Sequence, residues 1–283
     1  MILIADSGST KTDWILWKAR ENESSLYQSK GLNPYFSDSN DISETLQETI
    51  PLNLLPSITK IYFYGAGCGS NESKKTVKSG LIKACPQAEI EVEHDLLAAA
   101  RALCGKDKGI ACILGTGSNS CLYNGKKIID EGTSFGYIMG DEGSGNHLGR
   151  MLLKAIFTHK APQSIIDSFK KEFPEVDLDL LLNQLYHYPN PNRFLAGFSH
   201  FIIQRQDNAF IKKLIEKSFS DFIEYFVTIY NNKTQYPVHF QGSIAWNYQD
   251  ILRELLKKHN IELGKIIHRP IGHLLTYHQN TKV

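Results

Sequence analysis

The chain has 283 residues, with 31 basic and 30 acidic side chains, and 42% of its residues are hydrophobic. Such a length exceeds one small core and suggests two lobes, and the near-zero net charge argues against nucleic acid or an anionic membrane as the main partner. No C-x-x-C pair occurs among the five cysteines, so a disulfide framework, a zinc site or an iron–sulfur cluster is not expected. The apolar start Ile2–Ala5 is too short for a signal peptide, and no run approaches a membrane span, so we expect a cytoplasmic protein.

The first half of the chain alternates predicted strands and helices. Ile2–Asp6 and Asp13–Lys18 read as the strands of a hairpin whose wide polar tip is Ser7–Thr12. A helix is predicted over Asp41–Thr49, N-capped by Ser39, Asn40 or Asp41. The elements predicted next are a strand within Lys60–Cys68, a helix over Glu72–Ala84, a strand at Glu89–His94 and a helix at Leu96–Leu103. This alternation predicts an α/β fold.

The opening pattern of strand, polar tip and strand returns at Ile110–Ile128. An alignment of the two segments that pairs Asp6 with Gly115 also pairs Gly8 with Gly117 and Trp14 with Tyr123. An internal duplication would make two related lobes. The second half is richer in helix. Helices are predicted over His147–Phe157, Ser164–Phe173, Asn192–Arg205, Phe210–Ile229 and Ile251–His259, with a strand, turn and helix in Val238–Tyr248, a strand at Lys265–His268 and a terminal helix after Pro270.

Three polar tips are candidate phosphate or nucleotide contacts. In DSGSTKT the backbone donors, hydroxyls and Lys11 suit phosphate oxygens, and Asp6 could hold Mg²⁺ directly or through water. The second tip, GTGSN at Gly115–Asn119, repeats those ingredients without charge. In the third, Gly242 and Ser243 stand where a strand meets a helix N-terminus. Each tip has an ordinary structural alternative as a turn, and neither a Walker pattern nor a kinase-type G-x-G-x-x-G is present.

Together, DSGSTKTDW, ILGTGSNS and GSIA resemble the phosphate-1, phosphate-2 and adenosine motifs of the actin/hexokinase/Hsp70 superfamily. The block MGDEGSGNHLG resembles the N-acetylglucosamine kinase branch, which is grouped with the BadF/BadG/BcrA/BcrD type of activator ATPases. The resemblance covers essentially the whole chain, since RFLAGF and PIGHLLTYH also resemble segments of the family. It implies a two-lobed actin-like ATPase (ribonuclease H-like) α/β fold with duplicated sheet/helix domains and an interlobe cleft that closes on ligand. The lobes implied are residues 1–106 and 107–271, with the terminal helix 272–283 packing back on the first.

The resemblance also implies roles for individual residues. Asp95 would be the catalytic base, whereas its position at a strand-to-helix junction is equally typical of an N-cap. The neighbouring His94 is expected to be structural. The residues implied for ATP are Asp6 (also for Mg²⁺), Gly8, Ser9, Thr10, Lys11, Thr12, Thr116, Gly117, Gly197, Gly242, Ser243 and Ala245. The residues implied for the sugar are Asn33, Asp95, Ser118, Asn119, Phe135, Gly136, Asp141 and Glu142.

Two of these sugar assignments have simpler alternatives. Asn33 precedes a proline and could serve only a turn, and Asp141 with Glu142 could merely complement a helix dipole.

The expected function is therefore an ATP- and Mg²⁺-dependent sugar kinase that converts N-acetylglucosamine to its 6-phosphate. N-acetylmuramic acid and glucosamine stay open as substrates, because Phe135-Gly136-Tyr137 stands where the animal enzyme has tryptophan then histidine. An activator ATPase is the alternative from another class, although no cysteine lies in the pattern that would hold its cluster. A sugar-sensing regulator would need a DNA-binding domain, for which there is no room before Asp6. Both a monomer and a homodimer are compatible with the sequence.

Overall fold

The structure is a computed structural model that describes residues 1–8, 10–231 and 236–281. The chain divides into two compact units. The first comprises Met1–Lys108, Tyr123–Ile128 and Arg269–Val283, and the second comprises Gly109–Leu122 and Ile129–His268. Within the described residues no helix is both long and apolar enough to cross a bilayer.

The first unit is built on a five-stranded sheet in the order β3-β2-β1-β4-β5. Its strands are β1 (Ile2–Ser7), β2 (Lys11–Lys18), β3 (Glu23–Lys30), β4 (Lys60–Gly65) and β5 (Glu89–His94). Strands β1 and β2 form the predicted antiparallel hairpin, with Asp6 opposite Asp13, while β4 runs parallel to β1 and β5 parallel to β4. The central β1 is almost entirely buried because strands flank it on both edges, whereas β3, which the sequence analysis missed, is a largely exposed edge strand.

Among its described residues the first unit has the α-helices α1 (Ser39–Thr49), α2 (Asn71–Ala84), α3 (Asp95–Cys104) and α14 (Ile271–Asn280). The N-cap of α1 is Asp38 and not one of the three residues predicted. The Asp38 carboxylate accepts from the backbone N–H of Asn40 and Asp41, and the Asp41 carboxylate accepts from the backbone N–H of Asp38. This reciprocal capping box needs an acidic residue one position earlier than predicted. Helix α14 packs on α3, β1 and β2.

The second unit repeats the sheet of the first. Its order is β10-β9-β6-β7-β8, formed by β6 (Gly109–Leu114), β7 (Ser118–Tyr123), β8 (Ile128–Glu131), β9 (Val238–Gln241) and β10 (Leu263–Ile267). Read from the other edge, this is β8-β7-β6-β9-β10, which matches β3-β2-β1-β4-β5 strand for strand. In both sheets the last two strands run parallel to the first strand of the hairpin. The predicted duplication is therefore confirmed at the level of topology.

The helices of the second unit are α4 (Gly136–Met139), α5 (Gly145–Phe157), α6 (Gln163–Glu172), α7 (Leu178–Tyr186), α8 (Pro191–Gly197), α9 (Ser199–Ile203), α10 (Ala209–Phe222), α11 (Thr228–Asn231), α12 (Ser243–Asn247) and α13 (Gln249–Lys258). The single helix predicted over Phe210–Ile229 is interrupted, because residues Ile223–Val227 form a wider π-helical turn. The core consists of aliphatic side chains together with aromatic ones such as Phe169, Phe201 and Phe222, which are buried.

Candidate active site

The first hairpin tip is supported from inside by two hydroxyl groups. Ser7 and Thr12 are buried, with 2.8 Å between their hydroxyl oxygens, and the Ser7 hydroxyl accepts from the backbone N–H of Leu32. The Thr12 hydroxyl donates to the carbonyl of Lys30 at 3.0 Å. Thr12 therefore fastens the tip to β3 through its side chain instead of presenting that side chain to solvent. Gly8 and Thr10 remain accessible on the tip, and the predicted Ser9 lies outside the described residues.

Lys11 forms an ion pair that the sequence analysis did not predict. Its Nζ lies 2.9 Å from a carboxylate oxygen of Asp13, which also accepts from Gln28 at 2.6 Å. Asp13 is only 3% exposed, so it is a buried charge with two donors. The signal in the sequence is the spacing of two, which places both side chains on the same face of a strand. Asp13 fixes the lysine at the edge of the tip.

The carboxylate of Asp6 lies within reach of the charges of two others at this end of the first sheet. Burial and the neighbouring charges of Asp95 and Asp13 raise the pKa of Asp6 to about 7, and Lys11 opposes that rise. Burial also raises the pKa of Asp95, while His94 and the backbone N–H groups of Asp95 and Leu96 lower it. Buried carboxylates close together favour an extra proton or a cation. Hard oxygen donors of this kind fit Mg²⁺, which proteins commonly bind through one or two carboxylates plus substrate phosphates.

The described residues contain no cluster of three or more histidine, cysteine or acidic side chains that could enclose a metal by themselves. A single carboxylate such as Asp6, completed by phosphate oxygens and water, is the arrangement that agrees with that finding.

Asp95 is the first residue of α3, directly after β5. The N-cap position belongs to His94, which makes no capping bond through its side chain. Asp95 is thus not the capping residue, although two backbone N–H groups of the first turn stabilise its ionised form. Its carboxylate is partly buried and titrates above its ordinary range, which is the property that a general base near neutral pH requires.

A glycine turn brings Asn33 into the neighbourhood of Asp95. Asn33 forms an Asx turn, in which its Oδ1 accepts from the backbone N–H of Tyr35 at 3.0 Å. Gly67 lies against this carboxamide in a left-handed backbone conformation (φ +82°), so that an added Cβ would collide with Oδ1. Burial raises the pKa of the thiol of the next residue, Cys68, and the nearby charge of Asp95 adds to that rise. The turn between β4 and α2 therefore contacts Asn33 and lies within reach of the charge of Asp95.

The second hairpin tip is tied to the start of α5. The backbone N–H of Gly115 donates to the Gly117 carbonyl at 3.0 Å, which closes the tip. Gly145 donates to the carbonyl of Gly115 at 2.8 Å, and Asn146 donates to the carbonyl of Thr116 at 3.1 Å, both through backbone N–H groups. The predicted phosphate tip and the predicted sugar loop are one hydrogen-bonded assembly within the second unit.

Asp141 is the best-supported acidic residue of that assembly. It adopts a left-handed backbone conformation (φ +62°), which is uncommon for residues other than glycine and is often found at functional sites. Its carboxylate accepts from the backbone N–H of Ser118 at 3.1 Å and from Asn146 Nδ2 at 2.7 Å. Burial raises the pKa of Asp141, while Ser118, Asn146 and Arg150 oppose that rise. A Cβ on Gly117 would lie 3.0 Å from this carboxylate, so the tip passes very close to it.

Several buried oxygen atoms in the second unit have no hydrogen-bond partner among the described residues. They include Ser118 Oγ, Glu142 Oε2, Asn146 Oδ1 and Gln241 Oε1. Unpaired buried polar atoms are rare in folded proteins and usually bind water or a ligand. Three of the four belong to the tip, the acidic loop and the first turn of α5, which is where the sequence predicted a ligand.

The third predicted tip lies against the second. Gly242 has φ +116°, and an added Cβ would meet the carbonyl of Leu114 just before the Gly115 tip. Ser243 is exposed, whereas Ala245 is fully buried, so any contact of Ala245 with a ligand would have to come from its backbone. A Cβ on Gly145 would touch Ala196 and Ile244, which places the end of α8 and the start of α12 beside the same tip. Gly197 is exposed at the end of α8.

The remaining predicted sugar residues are less tightly held. Phe135 is 57% exposed just before α4, which begins at Gly136. Arg150 donates to the carbonyls of Tyr137 and Ile138 and so fixes this segment to α5. Asn119 is partly buried, and its Oδ1 accepts from the backbone N–H of Ser120. Sequence reasoning missed Arg150 and Asn146, because their contacts with backbone carbonyls and, for Asn146, with the Asp141 carboxylate are revealed only by the fold.

Comparison with solved structures identifies relatives over the full length of the chain. A candidate N-acetylglucosamine kinase from Porphyromonas gingivalis is 41% identical, with a TM-score of 0.93 and 100% of both chains covered. A candidate N-acetylglucosamine kinase from Chromobacterium violaceum is 15% identical, with a TM-score of 0.69 over 98% of both chains. A ROK hexokinase from Thermus thermophilus is 13% identical, with a TM-score of 0.51 over 99% of both chains. No family model and no curated protein matches the chain.

These likenesses confirm the fold class predicted from the motifs, a two-lobed actin-like ATPase fold with a duplicated α/β unit. Within that fold class, the Porphyromonas relative identifies a particular family, because it is 41% identical over the whole of both chains. The chain belongs to the family of N-acetylglucosamine kinase-like proteins.

Proposed function

We propose that this protein transfers the γ-phosphoryl group of ATP to an amino sugar, and that the sugar is N-acetylglucosamine, phosphorylated at its 6-hydroxyl group. The observation that carries the proposal is the position of Asp95, a partly buried carboxylate with a raised pKa that lies at a strand-to-helix junction within reach of Asp6. The full-length likeness to a candidate N-acetylglucosamine kinase supports the choice of sugar.

In the proposed reaction, Asp95 accepts the proton of the attacking sugar hydroxyl. Asn33 in the first unit and Asp141, Glu142, Ser118 and Asn119 in the second would bind the other hydroxyl groups and the acetamido group. Phe135 and Gly136 would border the sugar ring. A carboxylate base that accepts a proton from the nucleophile is the arrangement that phosphoryl transfer to an alcohol requires. Its contribution is typically about 10²–10⁴-fold in rate.

On the nucleotide side, the accessible part of the first tip would bind phosphate oxygens through Gly8, Thr10 and Lys11, with Ser9 included from the sequence. Thr12 would support that tip from within. Thr116 and Gly117 would contact phosphate from the second tip, and the proposed border of adenosine consists of Gly197, Gly242, Ser243 and the backbone of Ala245. Asp6 would hold Mg²⁺, which when bound neutralises charge on the phosphates.

The test is a coupled ADP-release assay with N-acetylglucosamine, N-acetylmuramic acid, glucosamine, N-acetylmannosamine and glucose. We expect ADP release to depend on an added amino sugar, with N-acetylglucosamine giving the highest kcat/KM. A higher kcat/KM for N-acetylmuramic acid or glucosamine would change the substrate but keep the reaction. ATP hydrolysis that no sugar stimulates would contradict the proposal and favour an activator ATPase.

A further inference from the structure

Asn146 was not among the predicted site residues, yet its side chain bonds to two loops of the predicted site. It is the second residue of α5, is fully buried, and uses both hydrogens of its carboxamide. One goes to the carbonyl of Thr116 at 2.8 Å and the other to Asp141 Oδ2 at 2.7 Å. Since both partners can only accept, the nitrogen must face them, and the orientation of the carboxamide is fixed.

These two bonds join two loops, which are also linked by the bond from the backbone N–H of Ser118 to the Asp141 carboxylate. Thr116 is at the apex of the second tip, and Asp141 opens the acidic loop. Asp141 needs such support, since it combines a left-handed backbone with a buried carboxylate. Apart from Asn146, the hydrogen-bond donor to this carboxylate among the described residues is the backbone N–H of Ser118.

We infer that Asn146 is a positioning residue, which orients the Asp141 carboxylate toward the sugar and holds it in register with the Thr116 tip. The inference rests on the proposed function and adds a residue to it. Both hydrogens of the Asn146 carboxamide bond to the two loops, so its nitrogen does not contact the substrate. Its effect is exerted through Asp141.

The contact has a consequence for titration. Asn146 stabilises ionised Asp141, as do Ser118 and, from α5, the cationic Arg150, while Glu142 is the adjacent carboxylate in the chain. Removing the Asn146 donor takes away one of the interactions that oppose the effect of burial. The pKa of Asp141 then rises further, and sugar binding that needs the ionised form is lost at a higher pH than in the wild type.

The experiment compares the same chemical change at two asparagines. Asn146→Asp replaces the donor by a carboxylate that faces the Thr116 carbonyl and Asp141. Asn208→Asp is the matched control, because the Asn208 carboxamide oxygen accepts from the backbone N–H groups of Phe210 and Ile211 at the start of α10, and aspartate caps a helix equally well. Asn146→Ala, which removes the donor without adding charge, covers the case in which Asn146→Asp does not fold.

We expect both Asn146 variants to raise the KM for the amino sugar about 10- to 100-fold, because a hydrogen bond to a charged group contributes about that factor to an equilibrium constant. The acidic limb of the pH profile of kcat/KM for the sugar should move to higher pH, and Asn208→Asp should match the wild type in both. A merely structural role would reduce the amount of folded enzyme without moving KM or the pH limb. Unchanged KM and pH limb in the Asn146 variants of an active enzyme would overturn the inference alone. Failure of the wild type to phosphorylate any amino sugar would overturn the proposed function as well.

Discussion

In the first unit the charged groups of the site stand on or beside the hairpin: Asp6 at the end of β1, Lys11 and Asp13 on β2. In the second unit the corresponding tip, Gly115–Gly117, has no charge, and its carboxylates come from the loop before α5. Two sheets of the same topology therefore present different chemistry at equivalent ends. We therefore expect the tip of the first unit to contact ligands through charged groups, and the tip of the second unit to contact them through backbone and neutral groups, with its carboxylates supplied by the neighbouring loop.

The largest effect should come from removing the proposed base of the first unit. Asp95→Asn is expected to lower kcat about 10²–10⁴-fold while the protein stays folded, because the amide cannot accept the proton. A coupled ADP-release assay and a thermal unfolding curve measure the two properties together. Asp177→Asn, the same change at the N-cap of α7, should leave activity unchanged, since asparagine also caps helices. Turnover close to that of the wild type in Asp95→Asn would remove Asp95 from the mechanism.

The side chains that hold the first tip and those that hold the acidic loop beside the second tip should differ in whether they titrate as the pH falls. The first tip is held by the hydroxyls of Ser7 and Thr12, which do not titrate in this range. In the second unit the backbone N–H of Gly143, in the acidic loop, donates to Ser218 Oγ, which in turn lies 2.7 Å from His147 Nδ1. Burial, aided by Arg150, lowers the pKa of His147 from 6.5 to about 4.

Because the unfolded chain binds this proton below pH 6.5 and the folded one only near pH 4, stability should fall as the pH decreases through that interval. The loss attributable to His147 is up to about 3 kcal/mol. His147→Asn, whose Oδ1 can still accept from Ser218, should flatten this part of the dependence. Denaturant unfolding at several pH values measures it, with His259→Asn at an exposed position as the control. An equally steep dependence in His147→Asn would show that another group is responsible.

The charge difference between the two tips can be tested directly. Lys11→Gln removes the ammonium but keeps a donor for Asp13, and it should raise the KM for ATP about tenfold or more, because a bond to phosphate from a charged donor is lost. Thr116→Ala in the neutral tip should raise it only a few-fold. Steady-state kinetics at saturating sugar gives both values. Equal effects of the two substitutions would mean that the charge of the first tip contributes nothing to nucleotide binding.

Glycines follow the equivalent strands β4 and β9, and replacing each by alanine should affect stability and sugar binding to different extents. Gly242→Ala would drive a Cβ into the backbone carbonyl of Leu114 at an unfavourable φ, and a loss of about 1–3 kcal/mol in unfolding free energy is expected. Gly67→Ala would be strained at φ +82° as well, and its Cβ would in addition displace the Asn33 carboxamide, so in this variant the KM for sugar should rise together with the loss of stability. Denaturation curves and sugar kinetics on both variants check this. A purely kinetic effect of Gly242→Ala would contradict it.

The sequence was sufficient to predict the features that depend on local pattern. Both hairpins, the α/β alternation and the repeat were predictable because apolar strands bracket polar tips. Strand β3 was missed because it is an edge strand with a mostly polar, exposed sequence. Helix α7 was missed because leucines such as Leu178 and Leu182 lie on its exposed face, which hides the amphipathic period.

The sequence predicted only part of the candidate site, because motifs identify residue types but not the contacts between them. Motif residues such as Asp95 and Asp141 carry the resemblance to the family. Their surroundings are set by contacts that the motifs do not show: Asp13 binds Lys11 and Gln28, and Asn146 binds Asp141 and the carbonyl of Thr116. Thr12 is in the motif, yet strand pairing places it opposite Ser7 and turns its hydroxyl inward. A pattern of residue types does not specify which side of a tip each side chain occupies.

The most direct test of the central proposal is to identify the phosphorylated product. Phosphorus NMR of a reaction containing ATP, Mg²⁺ and N-acetylglucosamine should show a sugar 6-phosphate resonance growing with ADP for the wild-type protein, and almost none for Asp95→Asn. Release of inorganic phosphate alone, at the same rate with and without the sugar, would contradict the account.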